Sequence, residues 1–253
     1  MQLAEEKGID LNYVTDLELD ENSSEIRHSI TLVYGGHGEY WTNNMRVNLQ
    51  YAIDHGTNLI DFGGNAGYNR IRLESNRQIA MWRSSKSDPF GTIRSKATTA
   101  WRLRPIYYPE SLLLGSQYVG LGVSGDYKIL HPDRWPFNAV HHPDVLKSVV
   151  GREVDSPLYS PGPAVEALAT SQIKVHGTPA IAMATYYNTA SGAGVLDIGT
   201  NGWPCDMAGI CPWHAPVPQE VRDDIRAVTE SILVGASKGP LAKFRKAIPD
   251  TVS

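Results

Sequence analysis

Cysteine is scarce in this chain: only Cys205 and Cys211 occur among 253 residues. So few exclude a disulfide-rich scaffold and any metal centre held by cysteine alone. Long apolar runs are missing too; none approaches the roughly 20 residues that a membrane-spanning helix needs. Positive charge is in short supply. Lys and Arg number 23 against 27 Asp and Glu, a net charge of -4, which offers no electrostatic basis for binding nucleic acid or an anionic membrane surface. There is no Walker loop, no Gly-x-Gly-x-x-Gly and no His-Glu-x-x-His. No Gly-x-Ser-x-Gly elbow occurs either, and Ser124 in Gly122-Val-Ser-Gly125 lacks the strand-turn-helix setting of one. The opening Met1-Gln-Leu-Ala-Glu-Glu-Lys-Gly8 lacks the basic and apolar regions of a signal peptide. As written the chain is expected to be cytoplasmic, with secretion open to it if a further N-terminal segment exists.

What is present reads as an ordinary globular composition, 42% hydrophobic and 20% charged, long enough to bury a substantial core. Leu3 to Gly8 reads as the end of a helix stopped by Gly8. Ile9 to Val14 reads as a strand, with a loop beginning at Thr15-Asp16. Ser29 to Tyr34 and Asn58 to Phe62 read as buried parallel strands. Between them, Asn43 to His55 places Met45, Leu49, Ala52 and Ile53 on one helical face, and Gly56 ends it. This order predicts an α/β, doubly wound sheet. The chain opens on a helix with no strand ahead of it, so the sheet is expected to lack its N-terminal strand.

The stretch from about 70 to 163 reads as an irregular insertion. Arg70, Arg72, Arg77, Arg83, Arg94, Arg102 and Arg104 give it a basic cast, read as solvated faces and surface ion pairs. Ala180 to Tyr187 and Gly194 to Ile198 read as a late β-hairpin. Val217 to Val234 reads as a helix burying Ile225, Val228, Ile232 and Leu233, followed by a loosely held basic tail. No internal repeat, low-complexity block or linker is evident, and residues 1–253 are taken as one domain.

The chemistry concentrates in Tyr34-Gly-Gly-His-Gly-Glu-Tyr-Trp41 and Phe62-Gly-Gly-Asn-Ala-Gly-Tyr68, each following a strand. Loops at the carboxyl ends of strands are where α/β sheets bind ligands. His37 and Glu39, two residues apart, can aim into one cavity from extended backbone. Glu39 suits a hard or borderline metal, and His37 can ligate or carry protons. Asn65 has an amide able to donate to an oxyanion, or is simply a turn residue. Glu153 in Gly151-Arg-Glu-Val-Asp155 is a further candidate acid, or one half of an ion pair. Tyr40 and Tyr68 line the same edge, and Trp41 is read as a lid. Cys205 and Cys211 leave free thiols, a small disulfide, or a metal site with His214 open.

Together these motifs carry a resemblance. Tyr13-Val-Thr-Asp16, Gly36-His-Gly-Glu-Tyr-Trp41, Asn58-Leu-Ile-Asp-Phe-Gly-Gly-Asn65, Pro109-Glu-Ser-Leu-Leu-Leu-Gly-Ser-Gln-Tyr118, Gly151-Arg-Glu-Val-Asp155 and Gly199-Thr-Asn-Gly-Trp203 resemble the C-terminal region of the N,N-dimethylformamidase large (beta) subunit family. The resemblance implies a glutamine-amidotransferase-like (flavodoxin-like) fold and hydrolysis of small formamide-like amides at a mononuclear iron. It implies Glu39 as the carboxylate ligand, with His37, Asn65 and Glu153 around the substrate. The family's two tyrosine ligands lie upstream of the matched region, so iron is expected only if such tyrosines are supplied. Tyr40 and Tyr68 are the fallback candidates. A small-molecule amide is the expected partner, together with a second copy or a small subunit. The alternative is a noncatalytic binding domain, or a truncated relic, that keeps the fold without the metal.

Overall fold

A computed structural model describes residues 2–74, 78–142, 144–159 and 161–250. The chain begins with α1 (Gln2–Glu6), α2 (Asp16–Glu21) and α3 (Ser24–His28), then β1 (Thr31–Tyr34), β2 (Tyr40–Trp41), α4 (Asn43–Asp54) and β3 (Asn58–Asp61). Short strands β4 (Asn69–Arg70), β5 (Arg72–Leu73) and β6 (Ile79–Ala80) precede α5 (Ser111–Leu114). Four long or central strands follow: β7 (Gln117–Ile129), β8 (Val145–Ser156), β9 (Glu166–Val175) and β10 (Thr178–Asn188). The chain closes with β11 (Gly194–Asp197), α6 (Gly202–Met207) and α7 (Gln219–Ala236).

The main sheet has seven strands in the order β1-β3-β11-β10-β9-β7-β8. β1, β3 and β11 run parallel, whereas the β11-β10, β10-β9, β9-β7 and β7-β8 pairs are antiparallel. The expectation of a doubly wound sheet therefore holds only for the parallel third of a mixed one. The sheet curls into a half-barrel, and Val154 of β8 bridges back to Thr200, just beyond β11. Helix-crossover logic governs strands joined through α4, but hairpin connections need no helix, so the later strands alternate in direction.

Local chemistry explains several departures from the sequence reading. Tyr13 is exposed and Ile9 to Val14 is not a strand. Thr15 instead caps α2: its hydroxyl accepts from the Glu18 amide while the Glu18 carboxylate accepts from the Thr15 N–H. That reciprocal pair is a capping box, which turns Thr15-Asp16 into a helix start. The supposed insertion holds β7 and β8, two of the longest strands; Gly-rich, register-shifted pairing disguised their alternation.

Arg83, Arg94 and Arg104 are exposed, and the half-buried Arg72 and Arg102 pair with Asp88 and Glu110, as read from the sequence; two other arginines are internal. Arg46 is buried and donates to the carbonyls of Tyr108 (2.9 Å) and Pro109 (2.6 Å). Arg70, also buried, donates to the Arg94 carbonyl at 2.7 Å. Both guanidiniums stack on Trp101, at 4.8 and 5.2 Å from its ring. They hold the irregular 94–109 segment through its backbone carbonyls, which surface ion pairs would not do. Arg77 lies outside the described residues.

The core is built as the helical periodicities predict. Met45, Leu49, Ala52 and Ile53 of α4 are buried with Leu59 on one face of the sheet. Ile225, Val228 and Ile232 of α7 pack with Ile60 and Leu196 in a second cluster. Each such side chain contributes about 1.5–3 kcal/mol on full burial, so a charge at Val228 would unseat α7. The tail is not loose. Leu241 is fully buried, and the buried Asn58 amide bonds the Gly239 carbonyl and the Leu241 N–H, both at 2.9 Å. Farther on, Ala247 and Ile248 donate to the side chains of Asn188 and Glu166.

Candidate functional site

The carboxyl ends of β1, β3 and β11 face the same edge, and three loops meet there. The loop after β1 crosses the one after β3 so closely that a Cβ on Gly63 would lie 2.4 Å from the Gly36 carbonyl oxygen. Only glycine permits that crossing. It brings His37 beside Glu153 of β8 and beside Asn201, which follows β11.

His37 lies between two carboxylates. Its Nε2 is 2.9 Å from Glu39 Oε2 and its Nδ1 is 2.9 Å from Glu153 Oε2. The carboxylates are largely shielded, with side chains 14% and 13% exposed, while the His37 side chain is 39% exposed. With an acceptor at each ring nitrogen, both nitrogens must carry protons to use them, so the arrangement selects imidazolium. Hydrogen bonding to Glu153 accordingly holds the His37 pKa above its ordinary value, with Glu39 and Asp155 adding to the effect against partial burial. Asn69 Nδ2 donates to Glu39 Oε1 at 2.6 Å, and Asn201 Nδ2 donates to Glu153 Oε2 at 2.8 Å. Each carboxylate is therefore fixed by an amide on one side and His37 on the other.

Beneath these loops lie three fully buried carboxyls, Asp61, Asp155 and Asp197, with oxygens within 4.8 Å of one another. Each accepts from a backbone amide, and Asp197 also accepts from the Ser116 hydroxyl. Asp61 accepts from Gly63 N–H (2.9 Å), Asp155 from Asn65 N–H (2.9 Å to each oxygen) and Asp197 from Gly199 N–H (2.7 Å). Burial, reinforced by the charge of one another, raises all three, Asp61 to about 8. These acids shape the loops rather than meet solvent.

The structure thus brings His37, Glu39 and Glu153 together, with Tyr118 nearby. Burial, together with Glu153, Tyr68 and Glu39, pushes the Tyr118 phenol up to about 12. Asn65 occupies a tight turn, the other role open to it. It sits at φ 65° with its N–H spent on Asp155, and its side-chain oxygen is buried without a partner. Tyr40 is 38% exposed; burial first, then Glu39, raises its phenol. Tyr68 packs tilted against Tyr118 (5.0 Å between centroids) beneath the Arg102 guanidinium. Trp41, expected as a lid, is fully buried under Gly67, where a Cβ would meet its ring at 2.4 Å. A cavity of about 920 Å³ along Gly122, Ser124, Gln172 and Ile181 contains none of these residues.

Sequence reasoning missed Asn201, although a signal for it was available. Leu59-Ile-Asp-Phe-Gly-Gly-Asn65 and Val195-Leu-Asp-Ile-Gly-Thr-Asn201 are a repeat, and their strands pair in register, Asp197 beside Asp61.

The donors present do not by themselves make an iron site. Among the described residues, the acidic, histidine and cysteine groups whose ligand atoms converge within 4.8 Å are Asp61/Asp155/Asp197 and a set around Cys205. Glu39, His37 and Glu153 are not such a group, because the imidazole stands between the two carboxylates. Both Glu39 oxygens already have partners.

Fold and edge define a mixed α/β domain with an imidazole clamped by two carboxylates above parallel strand ends. The chain belongs to the family described as N,N-dimethylformamidase beta subunit-like, C-terminal, whose model matches residues 1–218. It is a dimethylformamidase-related domain. No curated protein matches it. Among the described residues no helix is long and apolar enough to cross a membrane.

Proposed function

We propose that this chain supplies proton-handling machinery for the hydrolysis of a small, formamide-like amide to an amine and a carboxylate. The observation that carries the reading is the His37 imidazole held at 2.9 Å from Glu39 and at 2.9 Å from Glu153. Amide cleavage needs a base for the attacking water and an acid for the departing nitrogen, because an unprotonated amide anion leaves poorly. One carboxylate takes a proton from water as its oxygen adds to the carbonyl carbon. His37 gives its proton to the amide nitrogen, the C–N bond breaks, and the proton gained by the carboxylate restores imidazolium. Asn69 and Asn201 hold the two carboxylates in place.

Iron would require ligands beyond Glu39. The family's beta subunit-like description supports a small-subunit partner, or a second copy, as the assembly in which the site works. A second reading, a binding domain that keeps the fold without turnover, draws on the closed hydrogen bonding of Glu39.

Amine release from N,N-dimethylformamide separates the two. Glu153→Gln, nearly the same in shape, is expected to lower turnover by about 100-fold or more, within the usual range for acid–base groups, with near-UV circular dichroism unchanged. Undiminished turnover in that variant would sink the mechanism. A wild-type protein that binds the amide without releasing amine would establish the binding reading instead.

A further inference from the structure

The end of α6 and the loop that follows it hold a cluster that the proposed function does not use. Cys205, Asp206, Cys211 and His214 each offer an atom to a common point, with all these atoms within 4.8 Å of one another. Cys205 and Cys211 are joined as a disulfide. The other two members are what a disulfide loop does not need. Asp206 is 1% exposed, and neither of its side-chain oxygens has a hydrogen-bond partner. His214 Nε2 is also buried without one, 3.4 Å from Asp206 Oδ1.

That spacing is too long for a good hydrogen bond, yet it suits two ligands of one ion. Tetrahedral zinc with bonds of about 2.0–2.3 Å sets its ligand atoms roughly 3.3–3.8 Å apart. The imidazole is also prepared for the task. Its Nδ1 lies 2.7 Å from the Ala215 carbonyl, which makes Nδ1 the N–H donor and leaves the Nε2 lone pair facing Asp206. A backbone carbonyl on the far nitrogen is the usual way a metal-binding histidine is oriented. The ring rests against Gly151 of β8, where an added Cβ would be 3.3 Å from its Cδ2.

We propose that these four residues form a redox-gated zinc site: the dithiol form binds Zn²⁺ through Cys205, Asp206, Cys211 and His214, and the disulfide form does not. A buried carboxylate left without a donor costs free energy. The ion supplies the missing partner for Asp206 and for His214 together. Thiolate, not disulfide sulfur, is the strong ligand, which makes the sulfur oxidation state the gate. Opening it requires an external dithiol reductant. That dithiol attacks the Cys205–Cys211 bond and gives up two electrons and two protons. It closes to its own disulfide and leaves Cys205 and Cys211 as thiols. Zinc binding then releases both thiol protons.

Cobalt(II) is the probe, because its spectrum reports both thiolate ligation and coordination number. The full chain, reduced with a dithiol and freed of it anaerobically, is titrated with Co²⁺ and then with Zn²⁺. We expect one equivalent of Co²⁺, intense visible bands of a tetrahedral ion, a near-ultraviolet thiolate charge-transfer band, and their loss when Zn²⁺ displaces the cobalt. Oxidised protein is expected to show none of these. Asp206→Asn is expected to weaken Co²⁺ binding about 10-fold or more, on the scale of lost metal-site groups, and to alter the visible bands. Absence of stoichiometric binding by the reduced wild type would overturn the proposal, as would equal binding by the oxidised protein. An unaltered affinity and spectrum in Asp206→Asn would overturn the four-ligand assignment. A folding defect in that variant would not hide the answer, since the wild-type titration decides first.

Discussion

Leu59-Ile-Asp-Phe-Gly-Gly-Asn65 and Val195-Leu-Asp-Ile-Gly-Thr-Asn201 lie side by side on parallel strands β3 and β11, and their last residues do different things. In both, the strand-end aspartate accepts from the amide two residues on, at 2.9 Å for Gly63 and 2.7 Å for Gly199. The paths then separate. Asn65 is left-handed, at φ 65°, and turns its N–H down onto Asp155. Asn201 has φ -71°, leads into α6 and presents its amide to Glu153. Residue type is shared; backbone conformation assigns the role.

Replacing each asparagine with alanine should break the symmetry most visibly. Asn201→Ala frees Glu153 from the amide that orients it and should lower amide turnover by about 10–100-fold, the cost of a lost outer group in comparable sites. Asn65→Ala leaves the backbone bond to Asp155 available and should change turnover by no more than about threefold, well under 1 kcal/mol of barrier. Equal losses would restore an oxyanion role to Asn65. The wild-type pH profile adds a check. His37 has a raised pKa, so its imidazolium is fully present below the ordinary histidine range. Turnover should fall as pH rises through the raised value.

The next contrast concerns the buried acids that hold the two loops. Asp61 has its pKa pushed up to about 8 by burial, with Asp155 adding to it. A carboxyl that prefers its proton when folded contributes most below its unfolded pKa, and that contribution is lost as pH rises through the folded one. Thermal stability should therefore fall between about pH 4 and 8. Asp61→Asn keeps an oxygen for the Gly63 amide and removes the titration, so the melting temperature should vary less over this window. Asp155 and Asp197, raised in the same direction, would leave part of the slope. An unchanged slope would mean that Asp61 is not protonated in the folded protein.

How far the sequence could be read follows from the range of the forces involved. α4 and its buried face were legible because periodicity is local, as were β1, β3 and the pairing of β10 with β11. His37 and Glu39 were legible as a pair because a glycine-flanked loop after a strand is a local signal. Glu153 was found without its setting, since a strand within a curled antiparallel sheet reaches His37 only through long-range pairing. Asn201 is hidden for the same reason, although the Asp-x-Gly-x-Asn repeat marks it. The capping box at Thr15 and Glu18 is a local signal, carried by the Thr-x-x-Glu spacing. Burial of Arg46 and Arg70 was not local at all: charge predicts exposure until Trp101 and the 94–109 carbonyls arrive from elsewhere in the chain.

Glycine at the two asparagine positions gives the smallest effect and the sharpest test of backbone conformation. At residue 65 the left-handed φ already strains any residue with a Cβ, asparagine less than most. Asn65→Gly removes that strain while adding unfolded-state freedom, and the two should cancel to within about 0.5 kcal/mol. At residue 201 the backbone is right-handed, so Asn201→Gly gains nothing; it also leaves the buried Gly64 N–H without its Asn201 Oδ1 acceptor (2.9 Å) and should destabilise by roughly 1–3 kcal/mol. In a chain of this size each kcal/mol is a fall of about 2–4 °C in melting temperature. Denaturant or thermal melts of the two variants, run together at one pH, read this difference directly. A larger loss at 65 than at 201 would mean that the Asn65 side chain, with its unpartnered buried oxygen, makes a contact that stabilises the fold, and the functional asymmetry between the twin loops would have to be sought in side chains rather than in the turn.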